Sequence, residues 1–128
     1  MKSLIVLLLL LVPAFAAPRQ VATAWWRDWR FGTTTHIYLH GPTMAGDTLV
    51  LTGISDGECM QDAADDSRQH FTKSHQYRSP DGNQCEERWC LNSIESTKSV
   101  RVWGSAIGPI IKHSAAVTVW PAGAVSCP

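Results

Sequence analysis

The stretch Asp47–Thr52 (DTLVLT) decides the structural class of this 128-residue chain, because its leucines recur at every second position. Leu49 and Leu51 fall on one side of an extended segment, and this alternation is the pattern of a half-buried β-strand. The segment 36–40 (HIYLH) alternates in the same way. Gly41-Pro42 and Gly46-Asp47 separate the two segments, so we predict a hairpin with a loop longer than two residues.

Two further segments carry strand signals. Val100 and Val102 alternate with polar residues, and 115–120 (AAVTVW) follows the break at Gly108-Pro109. Short strands between Gly/Pro turns predict an all-β or β-rich fold, a small antiparallel sandwich of Greek-key type. Residues 17–31 (APRQVATAWWRDWRF) fit either one short N-terminal helix or a strand, because Val21, Trp25 and Trp29 also repeat at helical spacing.

Residues 1–16 have the three parts of a signal peptide. A basic start at Lys2 precedes the apolar run 5–12, and Ala14-Phe15-Ala16 is a small-residue cleavage pattern. We therefore predict a secreted, extracellular protein with one domain at residues 17–128. The apolar run is too short to cross a bilayer, and no later stretch reaches the length required, so no transmembrane segment is predicted.

The charge balance excludes several partner classes. The chain has eleven Lys and Arg and eleven Asp and Glu, and only Lys2 of these lies in the leader. Residues 17–128 therefore lack the basic excess that binds phosphate backbones, and we expect no stable nucleic-acid complex. An extracellular protein, a glycan or a membrane surface is the partner we expect for a monomeric protein. No motif for a nucleotide, flavin or zinc-hydrolase site occurs, so no cofactor is predicted.

The four cysteines all follow the leader, at Cys59, Cys85, Cys90 and Cys127. In an oxidising compartment they should form two disulfides. Three pairings are open, and we favour Cys85–Cys90 as a local clasp with Cys59–Cys127 as the long bridge. The C-x4-C spacing argues against a zinc site.

The acidic residues before and after Met60 could also suggest a cation site. They lack the ligand spacing of an EF-hand loop, so we predict a solvated loop and no metal. These residues are Asp56, Glu58, Asp62, Asp65 and Asp66.

The polar sides of the strands carry the residues best suited to binding. If the Ile, Leu and Val positions face one core, the opposite sides carry His36, Tyr38, His40, Arg101, Trp103, Thr118 and Trp120. Aromatic rings and a guanidinium can stack on a planar ring or sugar and hold an anion. The binding candidates are Tyr38, Arg101, Trp103 and Trp120. The alternative is that a second sheet or the segment 25–29 covers these aromatics and makes them core.

The leader, the compact β pattern and the paired cysteines together resemble the small secreted, cysteine-stapled proteins of filamentous fungi, many of them effector candidates. The runs 46–59 (GDTLVLTGISDGEC), 99–104 (SVRVWG) and 117–120 (VTVW) are similar to the killer-toxin-like members with a β/γ-crystallin-type fold. The resemblance implies a protein that acts by binding a host or competitor cell. It implies no catalytic residues.

A second resemblance implies an enzyme instead. Guanine-specific fungal ribonucleases and their effector relatives have a Tyr-x-His, a Glu, an Arg and a later His in that order, and this chain has them at Tyr38 to His40, Glu58, Arg101 and His113. In such a site His40 or Glu58 takes the proton of the 2′-hydroxyl, His113 protonates the leaving oxygen and Arg101 stabilises the phosphorane. This alternative requires the four side chains to converge in one cleft.

Overall fold

The computed structural model describes residues 17–29, 34–104 and 110–127, which form strands and, within those ranges, no helix. The strands are β1 (Gln20–Trp29), β2 (Thr34–Tyr38), β3 (Thr48–Gly57), β4 (Asp62–Asp65), β5 (Thr72–Arg78), β6 (Gln84–Asn92), β7 (Ser99–Trp103) and β8 (Ile110–Trp120). The predicted all-β class with two disulfides is confirmed. The signal peptide predicted at 1–16 lies outside the described residues, and within them no helix is long and apolar enough for a membrane span.

The strands form two antiparallel sheets. The large sheet has the order β1-β8-β3-β6-β5, and the small sheet has the order β2-β7-β4. The last strand, β8, therefore lies between β1 and β3 in the interior of the large sheet. Such pairing joins segments that are far apart in the sequence, so no local sequence pattern predicts it.

One apolar core lies between the two sheets. The large sheet contributes alternate residues of its central strands, among them Leu49, Leu51 and Val117, and the small sheet contributes Ile37 and Val100. Each of the five has at most 1% of its surface exposed. This is the side of the strands that the period-two pattern assigned to the core.

The N-terminal segment is a strand and not a helix. In β1 the buried Ala22 and half-buried Ala24 alternate with the exposed Val21, Thr23 and Trp25, as they do in a strand with one face on a core. β-Branched and aromatic residues favour extended structure, and antiparallel pairing with β8 satisfies the backbone groups of β1 that face β8.

The predicted hairpin between 36–40 and 47–52 is wrong, because β2 and β3 belong to different sheets. The connection 39–47 crosses between the sheets beside a second crossover, the segment 93–98 between β6 and β7. The Thr43 amide donates to the Thr97 carbonyl at 2.9 Å, and the Thr97 amide donates to the Thr43 hydroxyl at 2.8 Å. Polar groups of the two crossovers thus satisfy each other, which a sequence-local turn model does not anticipate.

The favoured cysteine pairing is also wrong. The bridges are Cys59–Cys85 and Cys90–Cys127. Cys85 and Cys90 both lie on β6, where five residues span about 16 Å and an odd separation places the side chains on opposite faces. A disulfide needs α-carbons within about 7 Å, so these two residues cannot join.

The acidic stretch is only partly a solvated loop. Asp62–Asp65 forms β4, and Asp65 is fully buried. Its carboxylate accepts hydrogen bonds from the backbone amides of Ser67 and Gln69 and from the Thr97 hydroxyl at 2.8 Å. Asp65 therefore closes the turn after β4 and links it to the crossover at 93–98.

Candidate binding face

The outer side of the small sheet gathers large planar side chains. Val100 and Val102 of β7 are fully buried, so Arg101 and Trp103 point away from the core. The antiparallel register places His36 of β2 beside Arg101, and Tyr38 follows two residues later on the same side. We call these four residues, with His70 beside β4, the small-sheet face.

The rings of the small-sheet face stack on one another. The ring centroids of His36 and Tyr38 are 5.9 Å apart, and the two ring planes are nearly parallel. The Arg101 guanidinium carbon lies 5.3 Å from the centre of the Trp103 ring, and the His70 ring stacks at 6.2 Å on Trp103. The result is a strip of planar groups across the strands that contains one permanent cation.

Asp62 closes one end of this strip. Its Oδ2 lies 2.9 Å from Nδ1 of His70, an ion pair when the imidazole is protonated. Asp62 is next to Trp103 in the register of β4 and β7. The carboxylate therefore orients His70 against the Trp103 ring, and among the described residues it forms its ion pair with His70 and not with Arg101.

Arg101 is the unusual member of the face. The residue is half-buried, and its Nε is fully covered without a hydrogen-bond partner. Among the described residues the guanidinium makes no hydrogen bond and no ion pair, only the contact with Trp103. The half-buried residue can present its terminal Nη atoms to solvent, so the geometry favours a carboxylate or another oxyanion that arrives from outside and accepts hydrogen bonds from them.

The remaining binding candidate lies elsewhere. Trp120 is half-buried at the end of β8, on the outer side of the large sheet, and is separated from Tyr38, Arg101 and Trp103 by the core. His40 lies after β2 on neither outer face, with its ring nitrogen 3.0 Å from the Val21 carbonyl oxygen. The single aromatic face predicted from the sequence therefore divides between the two sheets.

The residues of the ribonuclease-like alternative do not form one cleft. His113 points into the core from β8 and is 2% exposed, whereas Arg101 points outward from the small sheet. Glu58 pairs with Arg78 at 2.9 Å. Burial lowers the pKa of His113 to about 4, so its imidazole is neutral near pH 7 and is a poor proton donor there.

A buried carboxylate beneath β6 escaped the sequence analysis. Glu87 accepts hydrogen bonds from the Met60 amide at 2.6 Å and the Trp89 indole at 2.8 Å, and Lys73 Nζ lies 3.7 Å away. Desolvation raises the pKa of the Glu87 carboxyl, and the bonds from Trp89 and the charge of Lys73 oppose that shift. Glu87 lies at alternate positions with Cys85 and Trp89, so it falls on the same buried side of β6. This period-two pattern could have predicted its burial from the sequence.

The same carboxylate lies against the first disulfide. Glu87 Oε1 is 3.3 Å from Cys85 Sγ, and among the described residues the sulfurs of Cys59 and Cys85 with this carboxylate form a group of possible metal-ligand atoms within 4.8 Å of one another. The two sulfurs are bonded to each other, so they offer no thiolate to a metal. We assign the cluster a structural role, in which Glu87 fixes the 58–61 segment beneath β6.

Scans against protein-family models, curated protein sequences and solved structures each find no match to this chain. Its function is therefore argued from its own geometry.

Proposed function

We propose that this is a secreted, non-enzymatic interaction protein, a fungal effector or toxin-like protein that binds a host or competitor cell. The small-sheet face is its contact surface for an extracellular protein that presents a carboxylate. The observation that carries the proposal is the half-buried Arg101 guanidinium, stacked on Trp103 and without an acidic partner among the described residues.

The composition of the face supports a protein as partner. Tyr, Trp and Arg are the residues most enriched among those that dominate binding energy at protein interfaces, and the small-sheet face presents Tyr38, Trp103 and Arg101 together. The stacked rings restrict the rotamers of these side chains before the partner arrives. Less conformational entropy is then lost on binding.

The compartment is also consistent with the proposal. Two disulfides in a domain of this size suit an oxidising, extracellular environment. The predicted leader supplies the route. Expression of residues 1–128 in a secreting host should release a protein whose first residue is Ala17. A protein in the medium that still carries residues 1–16 would contradict this part of the proposal.

The face itself can be tested without knowing the partner. We expect a titration with tetraglutamate peptide, followed by ¹⁵N NMR, to shift the Arg101 Nε and Trp103 indole signals saturably, with a Kd of about 1 mM. The Arg101→Gln variant should lose these shifts. The matched control is Arg88→Gln on the large sheet, which should bind like the wild type. Equal binding by Arg101→Gln and the wild type would remove Arg101 from the site.

The ribonuclease alternative makes a separate prediction. Because His113 is buried and neutral, RNA should remain intact when incubated with the protein, and His113→Ala should change nothing. Cleavage that disappears in His113→Ala would overturn the non-enzymatic assignment.

A further inference from the structure

The outer side of the large sheet contains a depression whose centre is made of short side chains. The antiparallel register places Thr23, Ala116, Thr52, Arg88 and His75 side by side across the five strands. The row before it, toward one end of the strands, holds Trp25, Ser114, Ile54, Glu86 and Tyr77. In both rows the residue on β8 is alanine or serine. The largest side chains of the second row, Trp25 and Tyr77, stand on the edge strands, and the largest of the first row is Arg88 on β6.

Two adjoining cavities occupy this depression, with volumes of about 370 and 480 Å³. Thr52, His75 and Arg88 line both of them, so the two form one trough along β3 and β8. Each volume falls in the range of small-molecule sites, about 300–1,000 Å³. We call this feature the large-sheet trough.

We propose that the large-sheet trough binds a neutral oligosaccharide chain that lies across the strands, from β1 toward β5. This function goes beyond the contact surface proposed for the small sheet and uses the opposite side of the molecule. Three properties of the trough indicate this ligand: the chemistry of its floor, its charge balance and the rings at its edges.

The floor offers hydroxyl groups. Those of Thr52 and Ser74 donate to the Ala116 and Arg88 carbonyls and can still accept hydrogen bonds. Thr52 and Ser114 are exposed and Thr118 is half-buried, all three on the central strands β3 and β8. Ser74 and Ser126 add two hydroxyls at one side. A saccharide carries the same groups at high density, so each of its hydroxyls can find a complementary partner.

The charges in the trough favour an uncharged ligand. Arg88 and Glu86, two residues apart on β6, contribute one positive and one negative charge to the lining of the first cavity. The trough therefore has no net attraction for an anion or a cation. The guanidinium can still donate bidentate hydrogen bonds to neighbouring sugar hydroxyls, and the carboxylate can accept hydrogen bonds from them.

Aromatic rings flank the trough at the sheet edges. Trp25 on β1 is 68% exposed, and Tyr77 on β5 is 52% exposed. Their strands lie about 19 Å apart, four strand spacings, so both rings can contact a chain of several sugar units. Large exposed rings present apolar faces that pack against the C–H surface of a sugar ring.

The same observations disfavour a protein or a second copy as occupant. The energetic centre of a protein interface is built from large residues, and alanine and serine are depleted there. In this trough Ala116, Ser114 and Thr52 lie on the central strands, and the rings of Trp25 and Tyr77 stand on the edge strands. Two large side chains interrupt the central strands, Ile54 in the first cavity and Trp120 in the second. A lipid surface would call for more lysine and arginine around the rings.

The test is a titration of the ¹⁵N-labelled, disulfide-bonded protein with chitohexaose, laminarihexaose and mannohexaose in turn. We expect one of the three to shift the amide signals of Thr23, Thr52, Ala116 and Thr118 saturably, with a Kd between about 10 μM and 1 mM. Thr52→Arg places a long cation in the middle of the trough and should weaken binding about tenfold or more. Thr34→Arg on the outer side of the small sheet is the matched control and should bind normally.

Trp25→Ala provides a second variant on an edge strand, in case Thr52→Arg perturbs folding. It should weaken binding about fivefold or more, because a stacking surface is lost. The proposal is overturned if none of the three probes shifts the trough signals, or if the shifts map to Tyr38 and Trp103 instead. It is also overturned if a folded Thr52→Arg binds like the wild type, or if the protein is a dimer that Thr52→Arg separates. The tetraglutamate titration of Arg101→Gln is independent of these results, so either proposal can fail alone.

Discussion

The large and small sheets are stabilised by different means, and their outer sides differ accordingly. Both disulfides attach to β6 of the large sheet, and the buried Glu87 lies on the same strand. His113 on the neighbouring interior strand β8 is buried as well. The inward residues of β2 and β7, such as Ile37 and Val102, are apolar, and neither bridge reaches the small sheet.

This difference shows where each sheet obtains its cross-strand contacts. The small sheet has short strands, and its outer rings stack across them, as in the pairs of Trp103 with Arg101 and His70. The large sheet has longer strands, clamped by bridges and a buried carboxylate. Short residues on its outer side are therefore tolerated, and the trough is the consequence.

Glu87→Ala should have the largest effect. The change leaves the Met60 amide, the Trp89 indole and the Lys73 ammonium without their acceptor, and breaking such a buried group costs about 4 kcal/mol of unfolding free energy. Guanidinium denaturation measures the loss. The control is Glu86→Ala on the exposed side of the same strand, which should change stability by less than about 0.5 kcal/mol. Equal effects of the two variants would refute a structural role for Glu87.

Removing the second bridge should cost somewhat less. The Cys90→Ser, Cys127→Ser double variant should lose about 3 kcal/mol, because a bridge across 37 residues no longer restricts the unfolded chain. Its NMR spectrum should change along β6, β8 and the tail after Trp120, while the signals of β2 and β7 stay in place. Broad changes in the small sheet would show that the two sheets are stabilised as one unit.

Acidification should destabilise the protein through His113. The pKa of this imidazole is about 4 in the folded state, below its ordinary 6.5, because burial disfavours the charged form. The free energy of unfolding that this group contributes is therefore present above pH 6.5 and is lost as the pH falls toward 4. Between pH 7.5 and 5 the loss is about 2 kcal/mol.

Glu87 acts in the opposite direction, because its raised pKa favours the folded state at low pH and this contribution disappears as pH rises. The contribution of His113 is therefore read from the difference between the wild type and His113→Gln, measured by denaturation at several pH values. His75→Gln, on the exposed side of the large sheet, should follow the wild-type profile. A His113→Gln profile parallel to the wild type would contradict the buried, neutral imidazole.

Arg101→Gln should have the smallest effect on stability. The guanidinium makes no hydrogen bond or ion pair among the described residues, so its loss should change the unfolding free energy by less than about 1 kcal/mol. The same variant should lose tetraglutamate binding. Severe destabilisation would instead give Arg101 a structural role and remove the support for the small-sheet face.

The strands and the core could be predicted from local patterns, and the neighbours of each strand could not. Alternation placed Leu49, Val100 and Val117 in the core, where the structure has them. It also turned Arg101 and Trp103 outward. It did not show that Trp120 lies on another sheet, because strand order depends on contacts between distant segments.

The candidate sites show the same limit. The small-sheet face has four of its five members in regular alternation, so most of it was visible in the sequence. The large-sheet trough was not, because it depends on the side-by-side arrangement of Ala116, Thr52 and Thr23 from three distant segments. None of these residues is distinctive alone.

The sequence alone determined the β class, the parity of the core residues and the expectation of two disulfides, because periodicity and cysteine content are local or additive properties. Only the tertiary structure decided which cysteines pair, that β8 enters between β1 and β3, and which outer residues share a face. The physical reason is that many strand and cysteine pairings are equally compatible with the local sequence. The free energy of burying one common core selects among them. That selection depends on the whole chain at once.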